Sequence, residues 1–474
     1  MNRTHVKVAG FLFVLLVTGI ANAQQPDSQP TTQPSPTTVD SPSELDKLKS
    51  SCFNLKGIPD CAEELFTGKP VHIAVGSIAP QNGFGAGVAY LGHKTTDNWR
   101  DTWNADAIGS MNGSWRAGVY VQFVHTPNSP IGVHHGTPPT GWTNPSELPE
   151  HTVFGLYAQA ISLNKVTYFG EGAFTTLAGR SYFGMTETIL GGNVVKPFSS
   201  KWNASLFGEM TGRFVSIRGN HGQNSVSIEQ LYTEATAPGL TTQPGTFQLG
   251  EGLRIRPVFH ADLIRLNYSV AYQQFIAPGN GNFTFQRLTV DLGHEFALYG
   301  TTRFLGARPG NGPDDCGIEP GAACPKAYVR NREGTIGFRV FSALSFTPGG
   351  NVVPFYYQPT IGGGDLNGSS SLSSFQDYRF RAPNVMFLRE SFEHAIWKWP
   401  LGFALMADEG KVAMTRGDLG ASPWVRSYST GLTLRAGGFP QVYLLFSWGG
   451  NEGTHTTANV NTSLLGGAAR PSLF

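Results

Sequence analysis

Long runs in which apolar and polar residues alternate one for one constrain this chain more than any other feature. Four clear runs are Arg265–Ile276, Phe285–Leu298, Gly334–Phe346 and Ser427–Ala436, and their charged residues fall almost entirely on the polar side. Successive side chains of a β-strand point to opposite faces of the sheet. The runs therefore predict strands of about ten residues or more, with one apolar and one polar face, as a tilted membrane strand requires.

Alternation alone does not separate a membrane barrel from a secreted, soluble β-protein, so composition enters here. The 474 residues include 59 Gly, 12% are aromatic and only 14% are charged, against about 25% charged in soluble globular chains. Tight turns, aromatic girdles and few charges favour the barrel. We expect residues 71–474 to form an all-β, transmembrane antiparallel β-barrel of about sixteen strands. The net charge of +1 gives no reason to expect a nucleic-acid partner.

The first 70 residues are of a different kind. Arg3 and Lys7 precede an apolar run, Val8–Ile20, and Ala21-Asn22-Ala23 provides a small-residue cleavage site. Together these features predict a secretory signal peptide over residues 1–23. Residues 24–70 begin with a stretch rich in Pro, Thr, Ser and Gln. That composition predicts a disordered, short periplasmic segment.

The chain has four cysteines, Cys52, Cys61, Cys316 and Cys324. An even number in an exported chain predicts disulfides, and local pairing of 52 with 61 and of 316 with 324 is the simplest arrangement. Zinc is the alternative, but the sequence has no C-x-x-C motif at these cysteines and no neighbouring histidine. We expect no metal and no other cofactor.

Two long polar segments interrupt the strands, Thr126–His151 and Arg303–Lys326. Outer-membrane barrels place their long loops outside the cell and short turns in the periplasm. The sequence therefore predicts that both segments are cell-surface loops.

The stretch from Pro359 to Met414 combines a Gly/Ser-rich segment, Arg379-Phe380-Arg381 and two strand-like runs, Val385–Trp397 and Leu401–Met414. Strand periodicity points Arg379 and Arg381 the same way. Guanidinium groups are always charged and are expensive to place in lipid, so we expect them to face a wet lumen and to pair with wall carboxylates. The candidate partners are Glu390, Glu393 and Asp408. The alternative is a hairpin loop with ordinary surface arginines.

This stretch resembles the last strands of the BamA/TamA-like bacterial surface-antigen superfamily. The positions that match its motifs are Gly362, Gly363, Leu372, Phe375, Arg379, Phe380, Arg381, Glu390, Asp408, Gly410 and Val412. The glycine-rich segment Asn82–Tyr90 is similar to the opening strands of the family. One pair departs from the pattern, because Ser373-Ser374 stands where the family has Arg-Gly.

The resemblance implies a sixteen-stranded outer-membrane barrel and a loop around Leu372–Arg381 that folds into the lumen. In the family the motif Arg pins this loop to the wall. It also implies a role in outer-membrane protein or lipid assembly or translocation. Family members that insert or export proteins carry periplasmic POTRA modules before the barrel, and residues 24–70 are too few for one. Expected partners are therefore outer-membrane lipid, a separate periplasmic POTRA-type or chaperone protein, and unfolded client proteins.

Two other functions stay open. One is a passive outer-membrane pore or surface anchor that keeps the fold without insertase activity. The other is a lipid hydrolase with its site on the outer wall. The sequence contains no G-x-S-x-G, no H-E-x-x-H and no P-loop motif, so we do not expect an enzyme.

Overall fold

The structure is a computed structural model that describes residues 71–96, 98–125, 151–220, 225–259, 263–305, 327–396, 401–436, 439–450 and 452–460. The expected signal peptide, the periplasmic segment and all four cysteines lie outside these residues. The disulfide pairs therefore stay predictions. Within the described ranges, no helix is long and apolar enough to cross a membrane.

Strands make up nearly all of the regular structure. Their bounds are β1 Val71–Ser77, β2 Phe84–Thr95, β3 Trp99–Ser110, β4 Trp115–His125, β5 Thr152–Tyr168, β6 Ser181–Ser199, β7 Ala204–Gly219, β8 Thr246–Ile255, β9 Val258–Phe259, β10 Ile264–Ile276, β11 Phe285–Leu305, β12 Ala327–Phe346, β13 Thr360–Ile361, β14 Gly363–Gly364, β15 Ser370–Ser371, β16 Phe380–Arg381, β17 Asn384–Ala395, β18 Leu401–Ala413, β19 Val425–Ala436, β20 Phe439–Trp448 and β21 Thr454–Val460. One short α-helix, Ile228–Leu231, lies between β7 and β8.

Seventeen of these strands form one antiparallel sheet in which each long strand pairs with its neighbours along the chain. β8 and β9 both pair with β10 and are two pieces of one interrupted strand, so the sheet has sixteen strands. The four short strands β13–β16 form two separate pairs between β12 and β17. The expected all-β antiparallel fold of about sixteen strands is confirmed.

The two faces of the sheet are inverted relative to a soluble protein. On β7, Leu206, Met210 and Phe214 are each more than half exposed, whereas Thr211 and Arg213 are buried. The same exposure of large apolar side chains recurs on the outward face of other strands, as in Val88, Val119, Leu156, Leu190, Leu405, Leu432 and Leu444. An apolar outward face and a polar interior are typical of a barrel that stands in lipid.

Aromatic side chains mark both ends of the outward face. Phe392 and Phe403 lie 5.7 Å apart near the end of the sheet where β17 leads to β18. Tyr428 and Trp448 lie 6.4 Å apart near the opposite end, where β20 leads to β21. Membrane barrels carry aromatic girdles at both interfaces, and the two pairs fit that arrangement.

The interior is filled by the segment between β12 and β17, residues 347–383, which we call the lumen loop. Its aromatic residues pack with inward side chains of the wall. The rings of the wall residues Phe275 and Phe285 stack with their centroids 4.4 Å apart, and the ring centroid of Tyr357 from the loop lies 5.5 Å from that of Phe275. The Tyr378 hydroxyl donates to Pro80 O of the β1–β2 turn at 3.0 Å, and Arg379 pairs with Glu452 of the β20–β21 turn. Since the loop touches both the first and the last hairpin, the sheet is curled around it.

The direction of the strands brings two of the sequence expectations into conflict. β4 ends at His125 and β5 begins at Thr152, and antiparallel succession puts both at the end of the sheet where β1 begins. The same holds where β11 ends and β12 begins. The predicted periplasmic segment before β1 and the predicted cell-surface position of 126–151 and 303–326 therefore cannot both hold, because they require opposite sides of the membrane at the same end of the sheet. Residues 126–150 and 306–326 lie outside the described residues, so neither prediction is tested.

Candidate functional site: the lumen loop and its wall anchors

The loop turns into the lumen at two glycines. Gly362 and Gly363 have φ of +102° and +61°, a region that side-chain-bearing residues rarely adopt. A Cβ on Gly362 would lie 2.6 Å from the Cβ of Arg379, and one on Gly363 would lie 2.5 Å from the backbone N of Asp377. The predicted glycine entry thus lets residues 377–379 pack directly against 362–363.

Leu372 and Phe375 form the apolar anchor of the loop. Both are buried, and they pack with Ile361, Val385 and Val412 in one cluster. The neighbouring position on β18 is Gly410, where a Cβ would lie 2.7 Å from Ile361 Cδ1 and 3.2 Å from Leu372 Cδ1. Gly410 therefore leaves the space into which the loop inserts its side chains.

An ion pair of the wall holds the loop backbone next to this cluster. Arg389 on β17 and Asp408 on β18 are direct cross-strand partners. Arg389 donates from Nε to Oδ1 at 2.7 Å and from Nη2 to Oδ2 at 2.8 Å. Asp408 also accepts the Leu372 backbone N–H at 2.8 Å, and Arg389 Nη2 donates to Ser370 O at 2.9 Å. The pair thus binds one acceptor and one donor of the loop backbone.

Ser373 and Ser374, the pair that departs from the resembled motif, lie at the same place. Both are buried, and the Ser374 backbone N–H donates to Ser427 Oγ on β19 at 2.9 Å. A guanidinium is still present against Asp408, but the wall strand supplies it through Arg389. Sequence reasoning missed Arg389. Its signal was present, because an Arg and an Asp stand on adjacent predicted strands.

Arg379 ties the loop to two other parts of the wall. It donates from Nη1 to Thr175 Oγ1 and from Nη2 to Thr175 O, both at 2.7 Å, in the segment between β5 and β6. It also pairs with Glu452, and both side chains are buried. Its guanidinium carbon lies 4.9 Å from the Phe169 ring centroid. Arg379 therefore joins the lumen loop, the β5–β6 connection and the last hairpin.

Arg381 points to the same side of the lumen but binds differently. Its Nη1 donates to Phe355 O at 2.6 Å, and its guanidinium carbon lies 5.9 Å from the ring centroids of Tyr168 and Phe355. Nε and Nη2 are buried without a hydrogen-bond partner. Burial lowers the pKa of Arg381 to about 10, against the opposing effects of Tyr168 and Glu171. Arg381 therefore links two parts of the lumen loop, its own strand β16 and the turn at Phe355.

The predicted carboxylate partners are therefore distributed differently from the expectation. Asp408 pairs with Arg389, and Glu393 accepts a hydrogen bond from Tyr443 Oη at 2.5 Å. Glu390 is exposed on the outward face, because Arg389 beside it points inward. The carboxylate that binds Arg379 is Glu452, which the sequence analysis did not name. Its distance of 73 positions along the chain from Arg379 gave no local signal.

A buried carboxyl lies beside the turn that Arg381 binds. Gln358 Nε2 donates to Glu171 Oε1 at 2.5 Å and to Val353 O at 3.0 Å. Burial raises the pKa of the Glu171 carboxyl to about 7, while the Gln358 hydrogen bond and the charge of Arg381 act in the opposite direction. The hydrogen bond from Gln358 to Glu171 joins the lumen loop to the β5–β6 connection. Among the residues with described positions, no group of three or more His, Cys, Asp and Glu has a metal-binding arrangement.

No protein-family model and no curated protein matches the sequence. Among solved structures, the chain is similar to CdiB from Acinetobacter baumannii, with 11% identity and a TM-score of 0.42 over 82% of this chain and 59% of that chain. It is also similar to CdiB from Escherichia coli, with 11% identity and a TM-score of 0.47 over 83% and 63%. This chain spans less than two thirds of the length of either CdiB chain.

A third similar structure is BamA from Haemophilus ducreyi lacking POTRA domains 1–3. It has 9% identity and a TM-score of 0.44, over 83% of this chain and 69% of that chain.

Proposed function

We propose that this protein is an outer-membrane β-barrel that assists the assembly or translocation of other outer-membrane components, with the lumen loop as its internal latch. One observation carries the proposal. In the described residues, β1 pairs only with β2 and β21 only with β20, so the sheet presents two free edges. A free edge strand carries unpaired backbone N–H and C=O groups, which pair readily with another strand.

The lumen loop supports this proposal because it contacts the turns beside both edge strands of the sheet. Tyr378 contacts Pro80 beside β1, and Arg379 pairs with Glu452 beside β21. The wall pair Arg389–Asp408 fixes the loop between them. Because the lumen loop is attached beside both edge strands, the two edges can separate only if the loop moves. An assembly or translocation barrel needs such a separation if a client strand is to enter between the edges.

The apolar outward face and its two aromatic rows support an outer-membrane location. We propose that a separate periplasmic partner of POTRA or chaperone type recruits the clients. Such a partner would bring unfolded clients to the sheet edges.

The test is client folding in liposomes. The purified protein is reconstituted, an unfolded client barrel is added, and the folded fraction is followed with time. We expect faster folding than in empty liposomes, and we expect a synthetic peptide of β21, residues 454–460, to inhibit it when a scrambled peptide does not. Unchanged client folding with steady ion conductance would replace the proposal by the passive pore, which the inward Arg339–Asp291 pair favours. Release of fatty acid from the liposomes would instead indicate the hydrolase.

A further inference from the structure

A cavity of about 270 Å³ lies between the lumen loop and the inward faces of β10, β11 and β12. This is room for several water molecules or for one small solute. Polar residues line the cavity from both the wall and the loop, and those that matter here are Gln273, Arg287, Thr289, Arg339, Thr360 and Asp365.

Two of the three charged residues in the lining are already satisfied. Arg339 makes a two-bond pair with Asp291, at 2.9 and 2.8 Å. The Asp365 carboxylate accepts the backbone N–H groups of Asn367 and Ser369, at 2.9 and 2.8 Å. The cation whose charge acts most on Asp365 is Arg339. Arg339 and Asp291 therefore compensate each other, and Asp365 is held by backbone donors of the lumen loop.

Arg287 on β11 is different. It is 2% exposed, and in the described part of the chain it has one hydrogen bond, from Nη2 to Tyr357 O at 2.6 Å, and no carboxylate partner. Its guanidinium carbon lies 5.4 Å from the ring centroids of both Phe275 and Phe285. The other buried arginine nearby, Arg213, is neutralised by Glu187 at 3.0 Å. Arg287 thus brings an uncompensated positive charge to the cavity.

Further donors meet at this place without a partner. Arg287 Nε and Thr360 Oγ1 are both buried and unpartnered, and both residues line the cavity. Thr360 is the cross-strand partner of Arg381, whose Nε and Nη2 are also unpartnered. A buried charge without a counter-charge is costly, and buried donors without acceptors add to that cost.

We infer that this cavity binds one small oxyanion, of the phosphate or carboxylate class, with Arg287 as its counter-charge and the Thr360 hydroxyl as a second donor. A guanidinium binds such anions through parallel charge-assisted hydrogen bonds. Because Arg287 belongs to the wall and Thr360 to the lumen loop, the anion joins the two. Asp365, across the cavity, disfavours a second anion. The cavity volume of about 270 Å³ suits a small free ion better than a lipid headgroup.

The experiment measures thermal unfolding of the purified full chain in detergent, with inorganic phosphate exchanged for chloride at constant ionic strength. We expect the Tm of the wild-type protein to rise with phosphate and to saturate. Arg287→Gln should weaken the apparent phosphate affinity at least about tenfold, because it removes the charge-assisted hydrogen bonds. The control is Arg426→Gln, which removes a cation from the exposed Arg426–Glu409 pair and should leave the phosphate response unchanged.

Several results would overturn the inference. One is a wild-type Tm that does not respond to phosphate in a saturable way. Another is an Arg287→Gln protein that responds as the wild type does. Should Arg287→Gln fail to fold, Thr360→Val keeps the charge and removes the second donor. A weaker phosphate response of Thr360→Val then supports the site, and an unchanged response overturns it. Phosphatidylglycerol micelles, offered in place of free phosphate, should not reproduce the rise in Tm.

Discussion

Arg389 and Asp408 face each other across β17 and β18 and are joined by two hydrogen bonds of 2.7 and 2.8 Å, and both also bind the backbone of the lumen loop. Asp408 is buried, while Arg389 keeps a side-chain exposure of 17%. The wall pair thus binds the loop backbone without an arginine from the loop itself. The wall recognises backbone groups of Ser370 and Leu372, so the side chains at 373 and 374 can be serines.

Arg389→Ala should loosen the lumen loop. It removes the hydrogen bond to Ser370 and leaves the buried Asp408 carboxylate without its counter-charge. Breaking a buried pair from one side typically destabilises by about 3–5 kcal/mol, and the partial exposure of Arg389 places the expected loss at the lower end. The measurement is the urea concentration at which the compact form on unheated gels is lost.

The pair Arg426–Glu409 provides a matched control for that experiment. It joins the next strand pair at 2.7 Å, but its side chains are 58% and 37% exposed. Exposed pairs contribute about 0–1 kcal/mol, so Arg426→Ala should change the urea midpoint little. Equal effects of the two substitutions would show that burial of the Arg389–Asp408 pair does not anchor the loop.

Gly410→Ala should disturb the loop by crowding it. The new Cβ would lie 2.7 Å from Ile361 Cδ1 and 3.2 Å from Leu372 Cδ1, and both side chains are buried and tightly packed. Overpacking of this kind costs about 1–3 kcal/mol. Adding Ile361→Val removes the closest methyl group and should recover much of the loss. Gly420→Ala, with no heavy atom within 4 Å of the added Cβ, is the control, and a loss of the same size there would contradict the packing argument.

Arg379→Ala should separate the lumen loop from the β5–β6 connection and from the last hairpin. Its two hydrogen bonds to Thr175 are lost, and the buried Glu452 carboxylate loses its counter-charge. The double variant Arg379→Ala, Glu452→Gln should be less destabilised than Arg379→Ala alone, since no unpaired charge stays buried. Thermal unfolding of the four combinations measures the coupling, and strictly additive effects would speak against the pair.

Stability should fall as the pH rises through neutrality. The pKa of Glu171 is raised to about 7 and that of Asp365 to about 6, in both cases by burial. A carboxyl with a raised pKa binds its proton more tightly in the folded state. It therefore adds stability that is fully present below its unfolded pKa and is lost as the pH rises through the folded pKa. We expect the Tm to fall between about pH 4 and about pH 8, and Glu171→Gln to flatten that fall. A Tm unchanged by the Gln substitution at every pH would contradict this role.

The sequence predicted the fold well because the strand signal is local. Alternation located β10 and β19 nearly to their ends, whereas β11 extends seven residues beyond the predicted run and β12 begins seven residues before it. The lumen loop, its glycine entry and its motif positions were implied by the resemblance of residues 359–414 to the surface-antigen motifs. These features need no knowledge of distant partners.

What could not be predicted depends on which distant residues meet inside a curled sheet. Glu452, Thr175 and Glu171 reach the lumen loop from other hairpins, and no short-range pattern links them to Arg379 or Gln358. Asp408 was predicted as a partner of Arg379 or Arg381, whereas its direct cross-strand neighbour Arg389 binds it.

In this account the lumen loop closes the lumen, and the Arg389–Asp408 pair anchors the loop to the wall. Single-channel conductance in planar bilayers tests it most directly, with the wild-type protein, Arg389→Ala and the Arg426→Ala control compared under the same salt. We predict low, steady conductance for the wild type and the control, and larger, fluctuating conductance for Arg389→Ala as the loop leaves the lumen. Identical conductance in all three proteins would contradict the claim.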